Sequence, residues 1–161
     1  MQQLRIDRAD AAILNALQQD ATLTNAQLAE RVHLSASQCS RRRAAMEAAG
    51  LITGYGARVD ADMLGFGMRA ITRINLRSHG QEQESSFAAF LARHDEVRAA
   101  HSVSGDADYV LDVRVADLAA FARFVHEKLL PHPQVAQVRS EIVLKTLKDE
   151  PGLPLNAERR R

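Results

Sequence analysis

The sequence lacks residues that several classes of protein depend on. It has one cysteine, Cys39, and no tryptophan, which excludes a framework of intramolecular disulfides and zinc sites built from paired cysteines. No apolar run approaches the roughly eighteen residues of a membrane-spanning helix. The N-terminal residues lack the hydrophobic stretch of a secretory signal. We therefore expect a cytoplasmic protein without a membrane partner.

The remaining composition describes an ordinary globular protein. Hydrophobic residues make up 46% and charged residues 25%, whereas aromatic residues reach only 4%, so the core is expected to be aliphatic and rich in alanine. A chain of 161 residues can form one medium domain or two small ones.

Residues 24–50 carry two helix-start signatures in close succession. In each, a hydroxyl residue precedes a glutamine by three positions, the pattern of a reciprocal N-terminal cap. The two pairs are Thr24 with Gln27 and Ser35 with Gln38. They predict a short helix over 25–32, a tight connection, and a longer helix over 36–49 that ends at Gly50. A short helix, a turn and a longer helix form a helix-turn-helix.

The second of these helices begins with side chains that suit the DNA major groove. They are Ser35, Ser37, Gln38, Ser40, Arg41 and Arg42. Hydroxyl, amide and guanidinium groups in the first turns favour a helix that enters the groove N-terminus first. Between Arg31 and Val59, five arginines and one glutamate give a local charge of +4, against +1 for the whole chain. We predict that this helix binds double-stranded DNA.

Arg43 differs from its two neighbours. Consecutive helical residues point about 100° apart, and Arg43 shares the inward stripe of Cys39 and Met46. We expect its stem to cross the core while its charge reaches solvent. A helix pair with an arginine run is also compatible with a solvated bundle that binds no DNA.

The predicted helix pair lies between two further segments. Asp7 is the expected N-cap of a preceding helix over 6–19. Glycine and apolar residues over 51–59 predict a rudimentary wing and a connecting strand. We therefore predict a helix-turn-helix domain over 1–52 and a linker over 53–67.

From Met68 onward the apolar period changes to that of strands. The first predicted strand spans 68–76, and a helix with Phe87, Phe90, Leu91 and His94 on one face follows it. Two further strands come next, one with Val97, Ala99, His101 and Val103 and one over 109–115. The last two elements are a helix capped by Asp117, with Leu118, Phe121, Val125 and Leu129 on one face, and a strand within 135–147. This β-α-β-β-α-β order predicts a ferredoxin-like domain over 68–148 with both helices on one sheet face. The fold class is therefore α+β, and residues 149–161 are expected to form a surface tail.

The other sheet face has no cover within the predicted domain. It carries apolar residues such as Ile71 and Val110, and an open apolar face on a small domain implies a partner. We expect that partner to be a second copy, which gives a two-fold dimer.

Five short motifs occur in a fixed order along the chain. They are D-x-x-I-L-x-x-L at 10–17, L-A-x-x-V-x-L-S at 28–35, M-E-x-x-G-L-I at 46–52, L-G at 64–65 and V-S-G-D-x-D-Y at 103–109. Together they resemble the Lrp/AsnC (feast/famine) family of prokaryotic transcriptional regulators, from Leu4 to about Lys148. Two positions depart from the family pattern: position 43 is usually apolar, and Ala36 stands where proline is common.

The resemblance implies a sequence-specific, DNA-binding regulator associated with the nucleoid. It implies dimers that assemble into tetramers or octamers, and an effector that is an amino acid or a related metabolite, with no other cofactor. It places the effector by the G-D-x-D-Y turn and nominates Ser104, Gly105, Asp106, Asp108 and Tyr109, with Ser140 on the last strand. A glycine turn exposes backbone N–H groups to a carboxylate, and an aspartate can bind an ammonium group. Alternatively, Gly105 and the aspartates only form the turn.

Three other functions compete with this one, and the third is an amino-acid-sensing module that acts through protein contacts and binds no DNA. An enzyme is disfavoured because the histidines and aspartates of the second domain have neither a nucleophile–base spacing nor a metal-binding pattern, so we predict no catalytic or metal-ligating residues. A low-specificity architectural protein that wraps DNA without an effector remains the alternative.

Overall fold

The computed structural model describes residues 6–150 and 152–155. The described residues up to Arg58, together with those from Lys148 onward, form one compact unit, here called the helical unit. Val59–Leu147 form a second compact unit, here called the sheet unit. Residues 151 and 156–161 of the predicted surface tail lie outside the described residues.

The helical unit contains the three predicted helices. They are α1 (Arg8–Gln19), α2 (Asn25–Val32) and α3 (Ala36–Ala48). Each begins with a capping box, in which an N-cap side chain and the third helical residue exchange hydrogen bonds. The caps predicted for α2 and α3 are confirmed. Helix α1 begins at Arg8 rather than Ile6, because Asp7 is its N-cap.

The ends of α2 and α3 also follow from the sequence. His33 adopts a left-handed conformation with φ 55° at the turn between them. Gly50 has φ 70°, and the N–H groups of Gly50 and Leu51 donate to the carbonyls of Glu47 and Met46. This is a Schellman motif, in which glycine adopts the left-handed conformation without steric cost. The prediction that Gly50 ends α3 is confirmed.

A small apolar core joins the three helices. Its buried residues are Ile13, Leu14, Ala16, Leu17, Leu23, Leu28, Ala29, Cys39 and Met46. Residues 51–60 after α3 form no strand among the described residues. The predicted wing strand is therefore wrong for these residues.

The sheet unit follows the predicted order of elements. The elements are β1 (Met68–Leu76), α4 (Gln81–Leu91), β2 (Val97–Ser102), β3 (Tyr109–Val115), α5 (Leu118–Phe124) with a π-helical turn (Val125–Leu129), and β4 (Val135–Ile142). The sheet is antiparallel with strand order β2-β3-β1-β4. The buried side chains of α4 and α5 pack in one cluster with alternate residues of β1 and β3. The predicted ferredoxin-like fold is confirmed.

Three details of the predicted helices and strands are wrong. Helix α4 ends at Leu91, so His94 lies in the turn beyond it. In α5, Phe124 is buried and Leu118 is 61% exposed, so the buried face of this helix differs from the predicted one. In β2, a register shift between Val97 and Ala99 interrupts the expected alternation, since a bulge places successive residues differently across the sheet.

The uncovered sheet face is more polar than predicted. Ile71 and Val110 are half-buried. Around them, Arg69 pairs with Asp112 at 2.6 Å across β1 and β3. Charged side chains thus occupy part of this face, and a dimer formed through it stays a prediction. Within the described residues, no helix is both long enough and apolar enough to cross a membrane.

Candidate DNA-binding helix and candidate ligand cavity

Helix α3 has one side fixed in the helical unit and one side open. Cys39 is 0% exposed and Met46 is 2% exposed, so these residues anchor the inner side. Burial raises the pKa of the Cys39 thiol, in keeping with a structural role. Ser37, Ser40 and Arg41 are exposed on the outer side. The outer side therefore offers two hydroxyls and a guanidinium.

Arg42 connects α3 to the start of α1. Its Nη1 lies 2.8 Å from Oδ2 of Asp7 and 2.7 Å from Oδ1 of Asp10. Hydrogen bonds to Asp10 and then to Asp7 raise the pKa of Arg42 above its ordinary value. The backbone N–H of Asp10, followed by Arg42, lowers the pKa of Asp7. The structure thus directs this guanidinium toward α1, where it positions α3.

Arg43 holds the opposite edge of α3. Its Nε donates to the Tyr55 hydroxyl at 2.8 Å and its Nη1 to the Leu23 carbonyl at 3.3 Å. Its guanidinium carbon lies 4.6 Å from the centre of the Tyr55 ring, and Glu47 accepts a bond at 3.2 Å. Burial opposes the charge of Arg43, but these hydrogen bonds outweigh it and raise the pKa. These contacts accommodate a charged residue on the side of α3 that was predicted to face the core.

Ser35 and Gln38 use part of their hydrogen-bonding capacity in the cap. The Ser35 N–H donates to Oε1 of Gln38 at 3.0 Å, and the Gln38 N–H donates to Oγ of Ser35 at 3.2 Å. The side-chain nitrogen of Gln38, Nε2, takes no part in this pair. Arg41, by contrast, forms no ion pair with any described residue. Arg41 is the predicted arginine that the structure leaves available to a ligand.

The predicted effector turn connects β2 to β3. Gly105 has φ 144°, and the Val103 N–H donates to the Asp108 carbonyl at 3.1 Å. The Asp108 carboxylate accepts the Leu76 N–H at 2.7 Å, and the Asn75 amide donates to the Asp106 carbonyl at 2.8 Å. The turn is therefore tied to the end of β1.

A cavity of about 200 Å³ lies beside this turn. It is lined by Leu76, His79, Gly80, Glu84, Ser102, Val103, Asp108 and Tyr109. Nδ1 of His79 lies 3.8 Å from Oδ1 of Asp108. Burial, with the negative charges of Glu84 and Asp108, raises the pKa of Tyr109. The cavity lining thus includes two carboxylates, an imidazole and a phenol.

The cavity brings together only part of the predicted effector set. Asp108 and Tyr109 line it, whereas Ser104, Gly105 and Asp106 are exposed outside its lining. Ser140 bonds Thr72 at 3.2 Å between β4 and β1. Sequence reasoning missed His79 and Glu84, because the start of α4 meets the β2–β3 turn only in the folded sheet unit.

A larger open depression of about 930 Å³ also lies in the sheet unit. Its lining includes Val59, Leu64 and Phe66 together with the turn after α4. None of the predicted site residues contributes to that lining.

Comparisons with known proteins agree across the length of the chain. Residues 6–53 match the model of the winged helix-turn-helix DNA-binding domain, and residues 69–153 match that of the Lrp/AsnC ligand binding domain. The leucine-responsive regulatory protein of Rhizobium meliloti (strain 1021) is 38% identical over 146 residues, which cover 91% of this chain and 94% of that protein.

Solved structures show the same similarity. A transcriptional regulator of Neisseria meningitidis, crystallised with L-methionine, has a TM-score of 0.90 and 37% identity over 93% of this chain and 97% of its own. The feast or famine regulatory protein of M. tuberculosis, also complexed with L-methionine, has a TM-score of 0.81 and 28% identity over 92% and 98%.

Proposed function

Because the chain belongs to the Lrp/AsnC family of transcriptional regulators, we propose that it binds its operator through the outer side of α3. We propose further that an amino acid or a related metabolite, bound beside the Gly105 turn, regulates this binding. The observation that carries the proposal is the division of α3 into an anchored inner side and an exposed outer side with Ser37, Ser40 and Arg41.

The two sides of α3 give the residues different roles. Arg41 contacts a phosphate or a base edge, and Ser37 and Ser40 reach groove atoms beside it. Arg42 acts through α1, since Asp7 and Asp10 hold its guanidinium. In a two-fold dimer, two such helices enter major grooves about 34 Å apart or a multiple of that distance.

The DNA contact is tested by Arg41→Ala in the full chain. Fluorescence anisotropy measures the affinity for a duplex from its own promoter and for a scrambled duplex, at two salt concentrations. We expect roughly tenfold or greater weakening for the promoter duplex and a salt slope smaller by about one. Arg123→Ala, which removes an exposed arginine of α5, is the control and should change neither quantity.

Two results of that experiment would contradict the proposal. Unchanged affinity and salt slope in Arg41→Ala would remove this residue from the interface. Equal affinity of the parent protein for promoter and scrambled duplexes would instead favour the architectural alternative.

The effector half of the proposal is supported by the cavity and by the L-methionine complexes of two similar regulators. Asp108 is suited to the ammonium group of an amino acid, because its carboxylate lines the cavity. Calorimetry with L-methionine, followed by the other common amino acids, tests for binding.

A matched pair of aspartates locates the effector. Asp108→Asn retains an oxygen for the Leu76 N–H but removes the charge, and we expect it to weaken binding at least tenfold. Asp106→Asn changes a residue outside the lining and should leave binding intact. The reverse result would move the site to the exposed side of the turn, and absence of binding by every amino acid would contradict the effector class.

A further inference from the structure

The last described residues lie in a groove of the helical unit. Residues 152–155 pass beside α1, and Leu155 packs, partly buried, against the core of this unit. A cavity of about 430 Å³ is lined jointly by α1, by the segment that follows α3 and by these C-terminal residues. The C-terminal segment is thus a component of the unit that contains α3.

Gln18 binds the backbone of this segment at two points. Its Oε1 accepts the Leu153 N–H at 2.6 Å, and its Nε2 donates to the Leu153 carbonyl at 3.1 Å. Asn15 donates to the Leu155 carbonyl at 3.0 Å. Paired bonds to the N–H and C=O of one residue are the pattern found between neighbouring strands. The two amide side chains therefore bind this segment through its main chain.

Side chains add selectivity to this recognition. A Cβ on Gly152 would lie 3.3 Å from Oε1 of Gln18, so glycine allows the close approach of the segment. Leu155 is half-buried, whereas Leu153 is 72% exposed. One leucine anchors the segment and the other faces solvent, which makes them a natural pair for comparison.

The chain passes between the two units twice. It leaves the helical unit after Arg58 and re-enters it at Lys148. A domain held by one flexible connection keeps orientational freedom that must be lost when two such domains bind DNA together. A second anchored connection reduces that freedom before binding, which raises the effective concentration at the second half-site.

We propose that residues 152–155 are a detachable clip that gives the DNA-binding unit a second tether and thereby strengthens binding to paired half-sites. The hydrogen bonds of Gln18 to the clip are exposed, so the clip opens more readily than the core. The effect on DNA rests on the proposed function, whereas the clip itself does not.

Hydrogen exchange in the full chain tests the clip without DNA. Gln18→Ala removes both bonds to Leu153, and we expect the Leu153 amide to exchange on the order of tenfold faster. Gln19→Ala, which changes the exposed neighbouring residue, should leave its exchange unchanged. Equal exchange of this amide in the parent protein and in Gln18→Ala would overturn the clip.

DNA binding tests the tether. Leu155→Asp places a charge against the apolar groove, and Leu153→Asp places the same charge in solvent. We expect Leu155→Asp to lower the affinity for a duplex with two half-sites about tenfold while a single half-site binds unchanged. Leu153→Asp should alter neither affinity.

The possible outcomes separate the clip from the proposed function. The tether would be overturned if Gln18→Ala exchanges the Leu153 amide faster but Leu155→Asp leaves the ratio of two-site to one-site affinity unchanged. If the parent protein binds no DNA at all, the proposed function fails, and the exchange of the Leu153 amide still decides whether the clip exists.

Discussion

The helical unit and the sheet unit are stabilised in different ways. Among the described residues, the buried cluster of the sheet unit has thirteen members, whereas that of the helical unit has nine, three of which are alanine or cysteine. Both units contain arginine ion pairs, but they lie differently: Arg42 and Arg43 hold the two edges of α3, whereas Arg69 pairs with Asp112 on the uncovered face of the sheet. A small core with arginine contacts lets α3 be anchored from one side only, which leaves its outer side for DNA.

The largest expected effect comes from the core of the sheet unit. Phe87 is fully buried between α4 and the sheet, so Phe87→Ala should lower the free energy of unfolding by about 3–5 kcal/mol. Chemical denaturation measures the loss, and hydrogen exchange assigns it to the sheet unit. Leu118→Ala, at a residue 61% exposed, is the control. A similar loss in both variants would contradict the view that apolar packing stabilises this unit.

A smaller effect is expected where the helical unit uses charge. Arg42→Ala removes two hydrogen-bonded ion pairs with Asp7 and Asp10. We expect it to destabilise the helical unit by about 1–2 kcal/mol, because the partly exposed pairs are screened by solvent. Arg41→Ala should change stability by less than about 0.5 kcal/mol while weakening DNA binding. Equal stability of Arg41→Ala and Arg42→Ala would contradict the structural role assigned to Arg42 and not to Arg41.

Local signals were sufficient to predict much of the helical unit. The hydroxyl–glutamine pairs determine the starts of α2 and α3, and Gly50 determines the end of α3, since caps depend on residues a few positions apart. The partners of Arg42 lie 32 and 35 residues away in sequence, and no local period reveals them. The sequence therefore identified the helix but not which arginine faces outward.

The same limit applies to the sheet unit. Alternation predicted four strands and their order, but it could not predict the bulge in β2 or the π-helical turn after α5. Each shifts the alignment of later side chains through contacts made across the fold. The cavity beside the Gly105 turn depends on where α4 begins relative to that turn, so only two of the six nominated effector residues line it.

A weaker test of the helical unit uses Tyr55. Its hydroxyl donates to Glu47 at 2.6 Å and accepts from Arg43 at 2.8 Å. Tyr55→Phe keeps the ring beneath the Arg43 guanidinium and removes both bonds, so we expect a loss of about 0.5–1 kcal/mol. Thermal unfolding monitored by circular dichroism measures it. An unchanged midpoint would show that the ring contact alone holds the segment after α3.

The smallest expected effect is a dependence of stability on pH that differs between the two units. Burial, with the charge of His94, lowers the pKa of His132 in the sheet unit below its ordinary value of 6.5. The Gln134 N–H also donates to Nδ1 of His132 at 3.3 Å, a bond that the neutral ring accepts. As the pH falls, His132 therefore becomes protonated in the unfolded chain before it does in the folded chain. The stability present above pH 6.5 is lost as the pH falls through the pKa of His132 in the folded state.

The helical unit should respond to a more acidic range. The pKa of Asp7 lies below its ordinary value of 3.8, so the stability it contributes persists until the pH falls below that value. Between pH 7 and 5 we expect a loss of stability in the sheet unit alone, smaller than the loss in Tyr55→Phe. Hydrogen exchange resolves the two units. His132→Phe should flatten the profile and His126→Asn, an exposed control, should not, whereas parallel losses in both units would mean that another group titrates.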